Sequence, residues 1–162
     1  MIMAIKAGDK APSVTFKTMG DSGPENLSSE DLFAGKKVVL FAVPGAFTPT
    51  CSAKHLPGFV EKADAIKSKG VDEIACVSVN DAFVMGAWGK DQNVGNSVKM
   101  VADGNGDFAK ACGLEMDGSG FGLGTRMQRC AMIVDNGTVS QVFVEEPGQF
   151  EKSTADNILA NL

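Results

Sequence analysis

The stretch Lys37-Val-Val-Leu-Phe-Ala-Val43 decides the fold class, because it is a short β-rich apolar run bounded by Gly35 and by Pro44-Gly45. A continuous apolar run of this length is typical of a strand buried on both faces of a sheet. From Thr48 onward the spacing changes to that of one helix face, with apolar residues three and four positions apart at Leu56, Phe59, Val60, Ala63 and Ile66. Pro57 lies inside this pattern and is expected to kink the helix. The order is therefore strand, turn, helix.

The same alternation continues to the end of the chain. We predict strands at 73–79 and 97–101, and helices from Asn80 or Asp81 to about Trp88, at 107–112 and at 153–162. Apolar runs at 130–134 and 139–144 flank Asn136-Gly137, which is a strong signal for a hairpin because a type I′ turn needs positive φ at both central residues. The pattern predicts an α/β fold in which helices cover both faces of a mixed sheet, as in the thioredoxin-like arrangement.

Length and charge narrow the function classes. The chain has 162 residues, 44% of them hydrophobic and 22% charged, which fits one domain over residues 1–162. Its net charge of −5 argues against nucleic acid or an anionic membrane surface as a partner. The longest apolar run is far shorter than the roughly 20 residues that a membrane span needs. Nucleic acid, anionic membrane surfaces and a membrane span are therefore not expected.

Cysteine usage limits the chemistry further. Cysteines stand at 51, 76, 112 and 130, with no Cys-x-x-Cys pair, and the single His55 cannot complete a Cys/His metal cluster. We therefore expect no metal and no other cofactor. The N-terminal residues lack an apolar stretch of signal-peptide length, so we expect a cytoplasmic protein with reduced cysteines.

The segment Pro44-Gly-Ala-Phe-Thr-Pro-Thr-Cys51 joins the first predicted strand to its helix. Pro49 suits the first helical position, which makes Thr48 the N-cap and puts Cys51 in the first turn, near the positive end of the helix dipole. Lowering the pKa of a thiol from about 8.5 to about 6 takes roughly 3.4 kcal/mol, whereas a helix terminus supplies only about 0.3–1 kcal/mol. A reactive Cys51 therefore also needs a cation at its sulfur. From the local residues alone, a catalytic thiol and an ordinary helix-start cysteine both remain open.

Several motifs together resemble the peroxiredoxins, and in particular the peroxiredoxin-5 or type II subfamily. The active-site pattern Pro44-x-x-x-Thr48-x-x-Cys51 is similar to that family's motif. Further similar blocks follow in order along the chain, at His55-Leu-Pro-Gly-Phe59, Ser78-Val-Asn-Asp-Ala-Phe-Val-Met85, Ala87-Trp-Gly89, Gly113-Leu-Glu-Met116 and Arg129-Cys-Ala-Met-Ile-Val-Asp135.

The resemblance implies a thioredoxin-like fold and a thiol peroxidase that acts on hydrogen peroxide and alkyl hydroperoxides. It implies that Cys51 attacks the peroxide and becomes a sulfenic acid, that Thr48 positions the peroxide oxygen, and that Pro44 shields the pocket from water. It also implies that Arg129 supplies the cation that the thiolate needs. Arg126 is interpreted as a nearby residue that faces solvent or a dimer contact.

The remaining cysteines have competing interpretations. Cys130 and Cys112 are expected to be packed core thiols. Cys76 is either a buried strand thiol or, because plant type II relatives carry a cysteine at this spacing, a resolving thiol. The segment 148–154, where the mammalian subfamily carries its resolving cysteine, has none. The resemblance therefore favours reduction by glutathione and glutaredoxin, or by thioredoxin, and it implies a homodimer.

Two alternatives complete the predictions. His55 could form a dyad with Cys51, but surface or capping polarity is the favoured interpretation. A non-enzymatic redox sensor that acts through Cys51 is the rival function, and turnover with a reductant would separate it from an enzyme. Thioredoxin-like disulfide exchange is disfavoured because there is no Cys-x-x-Cys pair.

Overall fold

The computed structural model describes residues 4–162 and contains one large mixed sheet. The strands are β1 (Thr15–Gly20), β2 (Gly23–Ser28), β3 (Lys37–Ala42), β4 (Glu73–Ser78), β5 (Lys99–Ala102), β6 (Glu115–Asp117), β7 (Thr125–Met127), β8 (Cys130–Asp135) and β9 (Thr138–Val144). The helices are α1 (Ser29–Phe33), α2 (Leu56–Lys67), α3 (Ala82–Asp91), α4 (Asp107–Ala111) and α5 (Ala155–Ala160). Seven strands form the large sheet in the order β2-β1-β5-β4-β3-β8-β9, while β6 and β7 pair separately.

The centre of the sheet is parallel and its edges are antiparallel. Strands β3, β4 and β5 run parallel to one another, whereas β8 and β9 on one side and β1 and β2 on the other side pair antiparallel. Parallel strands are normally covered on both faces, which explains why β3 is an unbroken apolar run. The predicted mixed α/β sheet of thioredoxin-like type is confirmed.

Side chains alternate between two separate cores. Val39 and Phe41 point to the face that α2, α3 and α5 cover, and Val38 and Leu40 point to the face that α1 and α4 cover. All four are fully buried. This alternation decides which later side chains can meet Cys51.

The Asn-Gly hairpin forms as the sequence predicts. Asn136 has φ of 47° and Gly137 has φ of 83°, which are the two positive values of a type I′ turn. The turn joins β8 to β9. Because Cys130, the first residue of β8, pairs with Ala42, the last residue of β3, the residue that precedes β8 lies beside the end of β3. The last helix is shorter than predicted and begins after Thr154, whose side chain accepts a hydrogen bond from the N–H of Asn157.

The first part of the chain contains elements that the sequence did not predict. Strands β1 and β2 form a hairpin at the sheet edge, followed by α1. Their apolar signal is weak because Phe16 is the one fully buried residue of β1 and because β2 is mostly exposed. An edge hairpin of this kind lacks the long apolar run of a central strand.

The helix after β3 differs from the prediction at Pro57. A π-helical turn spans Cys51–His55, with the N–H of Leu56 donating to the carbonyl of Cys51, and α2 starts directly after it. Pro57 therefore lies in the first turn of α2, where its missing N–H is tolerated. The irregularity predicted near Pro57 takes the form of a wider turn that directly precedes the proline.

None of the helices within residues 4–162 is long and apolar enough to cross a membrane.

Candidate active site

The loop after β3 delivers Cys51 to the sheet edge. Pro49 is the first helical residue, and the carbonyl of Thr48 accepts a hydrogen bond of 2.9 Å from the N–H of Ser52. The Thr48 hydroxyl donates to the carbonyl of Gly45 over 2.7 Å. Thr48 thus precedes the helix as predicted, but its hydroxyl fixes the loop rather than capping a helix N–H.

The π-helical turn brings the side chains of Cys51 and His55 to the same buried face. Both residues are 0% exposed. Ser52, between them, accepts a hydrogen bond of 3.0 Å from the indole N–H of Trp88 on α3, which anchors the turn to the neighbouring helix. Single π-helical turns of this kind are frequent at functional sites.

Arg129 provides a cation at the sulfur. Its Nη2 donates to Sγ of Cys51 over 3.0 Å. Arg129 directly precedes β8, and strand alternation puts Arg129 on the Cys51 side of the sheet while Cys130 packs into the opposite core. The structure therefore brings together the Cys51 thiol and the cation that a stable thiolate at this position needs.

His55 occupies a different environment from the one predicted. It is fully buried, its Nδ1 lies 2.8 Å from Nη1 of Arg129, and its Nε2 lies 3.0 Å from the carbonyl oxygen of Ser153. Because a guanidinium only donates, Nδ1 must be the acceptor and Nε2 must carry the proton. Burial, helped by the Arg129 charge, lowers the pKa of His55 to about 3. The prediction of surface or capping polarity is wrong: His55 is a neutral core residue that holds the guanidinium.

Aromatic rings surround the imidazole of His55 and the guanidinium of Arg129. The rings of Phe41 and Phe59 stack with centroids 4.1 Å apart, and the imidazole of His55 lies 4.9 Å from the first and 5.6 Å from the second. On the other side, Phe150 meets the His55 ring at 5.0 Å and lies 5.8 Å from the guanidinium carbon of Arg129. These apolar walls explain why the imidazole stays uncharged.

Arg126 lies against the loop that precedes Cys51. It is half-buried, and its Nη1 donates to the carbonyl of Pro44 over 3.2 Å while its Nε donates to the carbonyl of Leu123 over 2.9 Å. A Cβ atom at Gly45 would come within 2.9 Å of Nη1 of Arg126, so only glycine leaves room for this contact. The guanidinium thus holds the loop at Pro44, while the interpretation of Arg126 as a solvent or dimer-contact residue stays a prediction.

The other cysteines divide between the two cores. Cys76, in the middle of β4, is fully buried on the Cys51 side, and burial followed by the nearby charge of Cys51 raises its pKa well above that of a free thiol. Cys112 and Cys130 lie in the opposite core, where burial raises the pKa of both, that of Cys130 to about 12. All four cysteines are free.

A cavity of about 710 Å³ opens beside Arg129. Pro44, Thr50 and Phe150 form part of its wall, together with Glu145 at the end of β9. Sequence reasoning missed Phe150 and Glu145, and the one local signal for Glu145 is a carboxylate directly after an apolar strand. Within residues 4–162, no group of three or more His, Cys, Asp or Glu side chains is placed to hold a metal ion.

The arrangement suits a thiolate nucleophile. A guanidinium that donates to the sulfur favours the charged form of the thiol, and it remains available for negative charge that develops on a substrate oxygen. The buried setting strengthens both interactions, since the local dielectric is low.

Comparison with known proteins places the chain among thiol-dependent enzymes. The family model described as Redoxin matches residues 6–159. Peroxiredoxin-2B of Arabidopsis thaliana is 51% identical over 159 residues, which cover 98% of both chains. The structure of reduced Prx3 from Vibrio vulnificus in complex with H2O2 superposes with a TM-score of 0.93 at 56% identity, covering 97% of this chain and 98% of the other. Peroxiredoxin 5 from Alvinella pompejana superposes with a TM-score of 0.85 at 36% identity, covering 96% of each chain.

Proposed function

The chain belongs to the Redoxin family and is a peroxiredoxin, a thiol-dependent peroxidase, and from this premise we propose that Cys51 is the thiol that attacks the peroxide. The single observation that carries the assignment is the contact of 3.0 Å between Nη2 of Arg129 and Sγ of Cys51. The other three cysteines have no such cation contact within the described part of the chain.

The proposed reaction is a nucleophilic displacement. The Cys51 thiolate attacks one oxygen of the peroxide, an S–O bond forms, and the O–O bond breaks. Cys51 becomes a sulfenic acid, and the leaving oxygen takes up a proton and departs as water or alcohol. Arg129 stabilises the thiolate and then the negative charge on the leaving oxygen. Thr48 orients the peroxide, and Pro44 keeps water from the sulfur.

Hydrogen peroxide and alkyl hydroperoxides are the proposed substrates. The complex of the Vibrio vulnificus relative with H2O2 supports the first of these. The cavity of about 710 Å³ beside Arg129, with Pro44 and Phe150 in its wall, is large enough for an organic substituent and supports the second.

We propose that an external thiol, from glutathione with glutaredoxin or from thioredoxin, reduces the sulfenic acid. The donor thiolate attacks the Cys51 sulfur, hydroxide leaves and is protonated, and a second donor thiol then releases Cys51 as the disulfide forms. Because Cys51 is fully buried, the π-helical turn must open before a donor sulfur reaches it. Cys76 would act as a resolving thiol only after the same opening, since it lies fully buried within β4.

A homodimer and a cytoplasmic location complete the proposal. Phe47, beside the active-site loop, is 52% exposed and Phe83 is 66% exposed, and apolar rings of this exposure suit a contact with a second copy of the chain. Four free cysteines suit a reducing compartment. Light scattering that detects monomer alone would remove the dimer from the proposal.

Peroxide consumption by single cysteine variants tests the assignment. Cys51→Ser should abolish consumption in the presence of each reductant. Cys130→Ser, the same substitution in the opposite core, should leave peroxide consumption intact. Wild-type turnover by Cys51→Ser would refute the assignment. Parallel assays of Cys76→Ser with glutathione and glutaredoxin, and with thioredoxin, identify the donor and show whether Cys76 takes part.

A further inference from the structure

The side chain of Glu145, which directly follows β9, accepts four hydrogen bonds. One carboxylate oxygen, Oε2, accepts from the N–H groups of Glu151, Lys152 and Ser153 over 2.8, 2.9 and 2.8 Å, and from the Ser153 hydroxyl over 2.7 Å. All four donors lie in residues 151–153, at the far end of the segment 145–153, so this one oxygen closes the segment into a loop. Glu145 is only 6% exposed.

Two connections lead from this loop to Arg129. The N–H of Glu145 donates to the carbonyl of Arg129 over 3.0 Å, which fixes the backbone from which the guanidinium extends. The carbonyl of Ser153 accepts the Nε2–H of His55 over 3.0 Å, and His55 in turn accepts from Arg129 Nη1. The backbone of Arg129 is therefore held by the Glu145 N–H, and its guanidinium is held by His55, whose own partner Ser153 belongs to the loop that the Glu145 carboxylate closes.

The carboxylate is charged in this setting. Burial alone would raise the pKa of Glu145, but hydrogen bonds from Ser153, Lys152 and Glu151 outweigh it and hold the pKa below its usual value. An ionised acceptor makes stronger hydrogen bonds than a neutral one. Four donors on one charged oxygen give the loop a fixed geometry.

We propose that Glu145 is a positioning residue for the peroxidase reaction. Its carboxylate closes the segment 145–153 into a loop, and the loop places Ser153 and His55 so that the Arg129 guanidinium lies at the Cys51 sulfur. The inference rests on the proposed roles of Cys51 and Arg129. It differs from a purely electrostatic role of Glu145 in the sign of the effect on the thiolate.

Glu145→Gln separates the two roles. Removal of a negative charge near the sulfur would by itself favour the thiolate and lower the midpoint of its ultraviolet titration. Loss of positioning withdraws the guanidinium and raises that midpoint. We expect a higher midpoint and a second-order rate constant for hydrogen peroxide that falls between about tenfold and about a hundredfold, as for a small misplacement of a catalytic group.

Glu61→Gln is the matched control, since Glu61 is exposed on α2, lies outside the cavity beside Arg129 and loses the same charge. It should leave both measurements near wild type. A milder variant, Ser153→Ala, removes only one of the four donors and should move both measurements in the same direction by less.

A double-mutant cycle with His55→Ala tests the route. With His55 absent, Glu145→Gln should add much less than it does in the wild type, because the side-chain path to Arg129 is already broken. Effects that multiply independently, or a lower midpoint in Glu145→Gln, would overturn the inference. Neither outcome touches the proposed function, which fails only if Cys51→Ser still turns over peroxide.

Discussion

Replacing Arg129 by methionine is expected to withdraw the cation from Cys51 while keeping a side chain of similar length. The guanidinium lies 3.0 Å from the sulfur, and it is the only Arg or Lys group with a hydrogen bond to it among the described residues. A hydrogen bond to a charged group contributes about 1.5–3 kcal/mol. At about 1.4 kcal/mol per pH unit, Arg129→Met should raise the midpoint of thiolate formation by about 1–2 pH units.

The rate should fall more than the titration alone requires. In the proposed reaction the same guanidinium also stabilises the negative charge that develops on the leaving oxygen, and loss of one such donor commonly costs about a hundredfold to a thousandfold in rate. Arg129→Lys keeps the charge, but a single ammonium cannot reproduce the planar fork that reaches both Cys51 and His55. Its effect should lie between those of the wild type and Arg129→Met.

Two measurements check this prediction. Ultraviolet absorbance of the thiolate as a function of pH gives the titration midpoint, and stopped-flow reaction with hydrogen peroxide gives the rate constant. Arg126→Met is the matched control for the titration midpoint, because it removes an equal charge that contacts Pro44 rather than the sulfur. If Arg129→Met left the midpoint where it is in the wild type while Arg126→Met raised it, the assignment of the cation would be refuted.

Three further changes test separate parts of the site. Gly45→Ala should slow the peroxide reaction in stopped-flow assays, because the new methyl group would lie 2.9 Å from Nη1 of Arg126 and displace it, whereas Gly58→Ala, with nothing within 4 Å, should not. Cys76→Ser should keep the peroxide rate constant but lower the free energy of unfolding in urea by about 1–3 kcal/mol, since it buries a hydroxyl in an apolar core. His55 has a pKa of about 3 when folded. The unfolded side chain takes up a proton below about pH 6.5, whereas the folded one stays neutral down to about pH 3. The free energy of unfolding of the wild type, measured in urea at several pH values, should therefore fall as the pH decreases from about 6.5 to about 3. Its slope should exceed that of His55→Asn by up to about 1.4 kcal/mol per pH unit.

Strand alternation made the central part of the site predictable. Apolar runs and one Asn-Gly turn were enough to predict where the central strands lie along the chain. Cys130 was expected to be a packed core thiol, and because neighbouring residues of a strand point to opposite faces, the structure can place Arg129 beside Cys51 while Cys130 packs into the other core. The local helix signal likewise predicted Thr48 just before the helix that carries Cys51.

Residues whose environment depends on distant segments were not predictable. His55 lies four positions from Cys51, which indicated a shared face, but its burial depends on Phe150 and on the carbonyl of Ser153, nearly a hundred positions away. A polar residue on a helix gives no local sign that another segment will cover it. The orientation of Arg126 depends in the same way on its long-range contact with Pro44.

The division of the cysteines between two cores has a consequence for oxidative damage. A disulfide requires Cα atoms within about 4.4–6.8 Å, and the backbone of the sheet separates Cys112 and Cys130 from Cys51. The sheet therefore separates the proposed sulfenic acid of Cys51 from two of the three remaining thiols for as long as the fold is intact. Alkylation of Cys130, in β8, would then report opening of the sheet, and a disulfide between Cys51 and Cys112 or Cys130 of the same chain would identify a molecule that had lost this arrangement.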